Sequence, residues 1–129
     1  MRISFKWAVL LAALLHAPSH AGEVIAHASV DLSPDEIRDV FLGEKQLAGN
    51  LKLVPVDNSA IRPEFLSKVL QTDERKYTAR WTKKSFREGL AAPVVKGSDA
   101  EVKAFVKSTP GAVGYVSGPS SGMKVLESF

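Results

Sequence analysis

The spacing of apolar positions predicts strands alternating with capped helices. Val24-Ile25-Ala26-His27-Ala28-Ser29-Val30 is short, rich in β-branched residues and bounded by turn formers, which predicts a strand. Ser33-Pro34-Asp35-Glu36 then forms a helix start: Ser33 caps, Pro34 takes the first helical position and Glu36 closes the capping box. Ile37, Val40 and Phe41 fall on one face, and Gly43 is the stop. Gly43 to Asn50 predicts a polar loop, and Leu51 to Val56 a second strand whose end Pro55 pushes towards an edge or a bend.

After Asp57-Asn58-Ser59, an apolar stripe of Ile61, Phe65, Leu66, Val69 and Leu70 predicts a helix starting close to Ser59, because Pro63 fits only its first turn. Thr72-Asp73-Glu74 opens a further helix to about Ser85, and Phe86 to Gly97 predicts a looser segment. Ser98-Asp99-Ala100-Glu101 is a second capping box before Val102, Phe105 and Val106, and Pro110-Gly111 ends that helix. Ala112 to Ser117 and Met123 to Leu126 predict two last strands joined by the turn Gly118 to Gly122. The alternation implies one α/β domain, a sheet covered by helices on both faces.

The first segment stands apart from this pattern. Arg2 and Lys6 precede Trp7 to Leu15, an unbroken apolar run of nine residues, and Ser19-His20-Ala21 forms a small-residue ending. That is the secretory signal pattern, with cleavage expected after Ala21 and a domain over 22–129. A spanning helix needs roughly 20 apolar residues, so no stable membrane span is expected, and a periplasmic location is. The chain has 17 basic and 14 acidic residues and no cysteine. Removing Arg2 and Lys6 leaves 15 basic against 14 acidic, a balance that does not mark a nucleic-acid binder. Without cysteine there is no disulfide and no thiolate chemistry.

Enzyme motifs are weak. Gly118-Pro119-Ser120-Ser121-Gly122 matches the letters of a nucleophile elbow, yet only seven residues follow and none is histidine. His27 is the only histidine after the expected cleavage, too little for a metal site by itself. No phosphate-loop or dinucleotide fingerprint occurs, so neither an enzyme nor a cofactor is expected. Arg75, Lys76, Arg80, Lys83, Lys84 and Arg87 follow one another without an intervening acid, while Tyr77 and Trp81 lie i, i+4 apart. Two accounts fit that helix: an aromatic stripe docked on the core with solvated cations around it, or a cationic face for an acidic partner, an anionic membrane or a polyanion.

The turn from Asp57 to Arg62 is the leading candidate site. In open α/β sheets ligands gather beyond the carboxyl ends of strands, at helix N-termini. Free N–H groups of Ala60, Ile61 and Arg62 would converge with the Ser59 hydroxyl there, and the Arg62 guanidinium suits an oxyanion. The competing account is that Asn58 or Ser59 caps its own helix.

Taken together these residues resemble a known family. Leu32-Ser33-Pro34-Asp35-Glu36-Ile37-Arg38-Asp39-Val40-Phe41-Leu42-Gly43-Glu44-Lys45 is similar to the LS-x-x-x-[LI]-x-x-[IV]F-x-G-K segment of phosphate-type periplasmic substrate-binding proteins. Leu53-Val54-Pro55-Val56-Asp57-Asn58-Ser59 resembles their strand and Ser-Gly-Thr loop, Trp81 stands where their helix carries Trp, and Pro110 to Ser117 is similar to their PGAIGYV strand. The resemblance implies a single periplasmic-binding-protein-like lobe with a mixed sheet. It also implies a secreted, non-enzymatic solute-binding role related to ABC transport, with phosphate or a similar oxyanion held at Ser59, Ala60, Ile61, Arg62 and Asp57. Full-length relatives close two lobes over their ligand, whereas the matched part is one. A homodimer or a partner protein supplying the missing lobe would restore the cleft. The family's Arg before the loop has no counterpart, and Ile61 stands where a loop hydroxyl is expected. The alternative is an envelope protein-interaction module on the same fold, its ligand pocket degraded.

Overall fold

The computed structural model describes residues His20–Phe129. The signal segment expected over 1–21 therefore lies almost wholly outside the described residues. The elements in chain order are β1 (Glu23–Ala26), α1 (Pro34–Phe41), β2 (Leu47–Ala48), β3 (Leu51–Lys52), β4 (Val54–Asn58), α2 (Arg62–Lys68), α3 (Glu74–Glu88), β5 (Val94–Lys96), α4 (Asp99–Ser108), β6 (Ala112–Val116) and β7 (Lys124–Ser128). Five strands form one sheet in the order β5-β4-β6-β1-β7, and β2-β3 is a separate hairpin. β4 runs parallel to β5 and to β6, while β1 runs antiparallel to β6 and β7, so the sheet is mixed.

β6 is central because every residue from Ala112 to Val116 is buried and apolar or glycine, a composition that only a strand covered on both faces tolerates. On one face α1, α2 and α3 bury Ile37, Val40, Phe41, Phe65, Leu66, Tyr77 and Trp81 against Val24, Val113 and Tyr115. Phe65 stacks on Tyr115 at 3.8 Å and Phe41 meets Phe65 edge-on at 4.8 Å, geometries that aromatic quadrupoles favour. On the other face α4 sets Val102 and Val106 against Ile25, Val56, Ala112 and Val116. Gly114 makes that approach possible, since a Cβ there would stand 2.8 Å from Val102 Cγ1.

Local chemistry explains most boundaries. Ser33 and Glu36 form the expected capping box on α1. Ser98 Oγ accepts from Glu101 N–H as expected, but the Glu101 carboxylate reaches the Gly97 N–H, so the second box closes one residue upstream. α3 ends at Gly89 with φ 68°, a left-handed cap that glycine adopts without strain.

The first strand stops at Ala26 rather than running to Val30, and the strand expected over Leu51–Val56 is two, β3 and β4. The supposed loop Gly43–Asn50 contributes β2, which pairs with β3. α3 continues three residues past Ser85, and the looser segment after it holds β5. α2 begins at Arg62 rather than near Ser59. Pro55 lies in an interior strand, not at an edge or bend. Val54 N–H donates to Gly111 O on the β6 side, so alternation turns position 55 towards β5, whose pairing starts only at Val56. The missing proline donor thus has no ladder partner to lose.

Candidate functional site

The backbone after β4 is closed by its own hydrogen bonds. Ser59 N–H donates to Lys96 O at 2.9 Å, Ala60 N–H to Asn58 Oδ1 at 3.0 Å and Ile61 N–H to Asn58 O at 3.2 Å. The expected set of free amides at Ala60 and Ile61 is therefore not what the structure shows. The physical reason is Asn58, a buried side chain whose carbonyl oxygen folds back on the turn. Its Nδ2 donates to Asp99 Oδ1 at 2.8 Å and to Tyr115 O at 3.0 Å. Asp99 Oδ2 in turn accepts from Ser117 N–H at 3.1 Å. At the carboxyl ends of β4 and β6, an internal carboxylate thus occupies the place that donors of this kind offer to an anion. Ser59 and Ala60 are exposed, and Ile61 is half-buried against the Phe65 cluster.

Asp57 and Arg62 come together, one turn away, in a different arrangement. Both carboxylate oxygens of the buried Asp57 accept phenolic protons, Oδ2 from Tyr77 at 2.9 Å and Oδ1 from Tyr115 at 2.8 Å. Arg62 Nη1 lies 3.9 Å from Asp57, and its Nη2 makes a 2.9 Å ion pair with Glu74. The guanidinium carbon lies 5.1 Å from the centroid of the Tyr77 ring, within cation–π range. Arg62 Nε is buried and has no protein partner among the described residues. Burial raises the Asp57 carboxyl above the usual carboxylate value, against the opposing pull of the Tyr115 hydroxyl, the Arg62 charge and the Tyr77 hydroxyl. Burial, reinforced by the Asp57 charge, holds both tyrosines protonated well above their ordinary range.

This group lies at one end of an open cleft of about 600 Å³ between α3 and β5. Tyr77, Trp81, Pro93 and Val95 supply apolar wall, Thr78, Thr82 and Ser85 supply hydroxyls, and Phe86 stands at the mouth. Trp81 is fixed by an Nε1–H bond to Phe41 O at 3.0 Å, so its ring is a rigid part of the wall. The sequence singled out Asp57, Arg62, Tyr77 and Trp81, but not as lining of one cavity. It passed over Pro93 and Val95 because β5 is three residues long; the β-branched pair Val94-Val95 after Pro93 was the available signal.

His27 Nδ1 lies 2.7 Å from Ser29 Oγ and accepts the Ser29 N–H at 3.0 Å. Ser29 Oγ also accepts from Gly111 N–H, so the pair fastens two turns to each other. Among the described residues no three His, Cys, Asp or Glu side chains converge on a metal-sized site. No helix among them is long and apolar enough to cross a membrane.

No family model and no curated protein matches the chain. Among solved structures, that of an ABC-type phosphate transport receptor from Vibrio cholerae aligns with a TM-score of 0.51 over 84% of this chain. The two share a fold. Identity is 13%, and this chain spans 46% of the receptor's length. The architecture is thus that of a single α/β lobe with a mixed five-stranded sheet, three helices on one face and one on the other.

Proposed function

We propose that the chain is a non-enzymatic binding lobe that takes a small organic anion in the cleft between α3 and β5. The apolar body of the ligand lies against Tyr77, Trp81, Pro93 and Val95, and its charged end approaches Arg62. The supporting observation is the cleft itself: about 600 Å³, mostly apolar walls, with the Arg62 guanidinium in its lining. Small-molecule sites commonly have this size and this ratio of apolar surface to placed polar groups.

Inorganic phosphate fits less well. Asp57 and Glu74 already compensate Arg62, so a dianion would meet two carboxylates along with the cation, whereas a monoanion adds burial of its apolar part. Asp57 and Arg62 keep a part in this reading. Ser59, Ala60 and Ile61, the rest of the turn after β4, do not.

The test is thermal unfolding with phenylacetate, cyclohexanecarboxylate, phosphate and sulfate. A ligand at one hundred times its Kd stabilises by about 2.7 kcal/mol, which raises Tm by on the order of 10 °C in a domain this small. The organic acids are expected to produce that shift and the inorganic ions are not. Thr82→Trp, which fills the cleft from an exposed helical position, abolishes the shift while leaving the unliganded Tm nearly unchanged. A response to phosphate alone, insensitive to Thr82→Trp, overturns the proposal and returns the site to the Ser59 turn.

A further inference from the structure

The six cations of α3 do not share one fate. Arg80 and Lys84 both reach Glu44, and Lys84 also reaches Glu88. Arg75, Lys76, Lys83 and Arg87 are exposed and form no ion pair among the described residues. At helical spacing Tyr77 and Trp81 point to the core, so these four share the opposite face with Ala79 and Phe86. Glu74 and Glu88 stand at the two ends of the helix, and no acid interrupts the face between them. Phe86 is 91% exposed at the centre of its C-terminal half. Beyond Gly89, Ala91 and Ala92 continue an exposed apolar tip.

We infer that this face of α3 docks on the surface of an anionic lipid bilayer, with Phe86 at the boundary between headgroups and acyl chains and the four cations at headgroup level. Charge decides the kind of occupant. The residues after the expected cleavage are almost balanced in sign, yet one helix face concentrates unpaired positive charge along its length. Shape and the aromatic decide between a membrane and an acidic protein. The four cations and Phe86 are exposed and project from one side of the helix, which suits a plane. A protein partner would instead need a complementary pocket for its anchoring side chains. A cluster of basic side chains is drawn to an anionic bilayer surface, and a projecting aromatic beside them adds apolar burial there. A groove beside the face brings Lys76, Lys83 and Arg87 together; its two carboxylates, Glu44 and Glu88, are already paired with Arg80 and Lys84, which leaves the three free cations for a headgroup phosphate. Phe86 also borders the α3–β5 cleft, but none of the four cations lines it, so the inference does not rest on the cleft reading.

The test is cosedimentation of the full chain with vesicles of phosphatidylcholine alone or mixed with phosphatidylglycerol, read as the difference between the two. Binding is expected only with phosphatidylglycerol, and it weakens as salt is raised. Each basic residue near such a surface accounts for about fivefold in partitioning, so K83Q/R87Q lowers binding roughly 30-fold. F86S lowers it further without disturbing the fold, since its side chain touches little of the core. Equal binding to neutral vesicles, or binding unaffected by both variants, overturns the inference. Binding to soluble polyglutamate that matches the vesicles and ignores F86S also overturns it, in favour of an acidic protein partner.

Discussion

Asp57→Ala is expected to lower the unfolding free energy by about 3–5 kcal/mol, measured by urea denaturation at neutral pH. The loss has several sources. Two buried tyrosine hydroxyls lose their acceptor, and Arg62, already short of a partner for Nε, loses its nearest buried counter-charge. Tyr115 also stacks on Phe65, so a shift of its ring disturbs the centre of the larger core.

Asp57→Asn separates charge from hydrogen bonding, because the amide still accepts one phenolic proton. Burial raises the folded carboxyl above its unfolded value, so the folded state holds that proton more tightly. Apart from the hydrogen bonds and charge that Asp57→Ala removes, the stability gained from holding that proton more tightly is complete below the ordinary aspartate value. It is lost as pH rises from there through the raised folded value. The wild type minus Asp57→Asn difference should fall between the ordinary aspartate value and the raised folded value, and stay flat above it. A difference that grows with pH contradicts the account of a carboxyl destabilised by burial.

Gly111→Ala is expected to prevent folding, or to cost more than about 4 kcal/mol, as judged by loss of a cooperative thermal transition. Gly111 has φ 84°, and a Cβ there would stand 2.0 Å from Lys52 O. The obstacle is backbone, which cannot rotate away as a side-chain tip can. The same residue accepts from Val54 N–H and donates to Ser29 Oγ, so displacing it loosens both the β4–β6 pairing and the His27 turn. Gly49→Ala is the control: φ is 62° but nothing lies within 4 Å, so only the left-handed penalty of roughly 1–2 kcal/mol remains. Equal losses at the two positions would show that conformation, not the approach of Lys52, governs Gly111.

The contrast between these positions tracks how much was legible in the chain. Capped helices read well because Ser33, Pro34 and Ser98 carry their signals within four residues of where they act. Ala112 to Ser117 read well as a strand because its short apolar run is bounded by Pro110-Gly111 and Gly118. β2 and β5 did not, because strands of two and three residues take their form from the neighbour they pair with. The candidate site was half legible. Asp57 and Arg62 stood out by type, but their partners Tyr77, Glu74 and Tyr115 are brought in by tertiary packing from α3 and β6. Asn58 read ambiguously: an asparagine after a strand can cap, turn or face a ligand, and only the arrival of Asp99 and Tyr115 O fixes its amide.

The proposed binding cavity lies between α3 and β5. Titrating the isotope-labelled protein with phenylacetate and following backbone amide shifts tests it directly. The account predicts saturable changes at Thr78, Thr82, Ala92 and Val95, which line that cavity. Changes confined to Ser59–Ile61, Gly97 and Ser98, or none at millimolar acid, would contradict it.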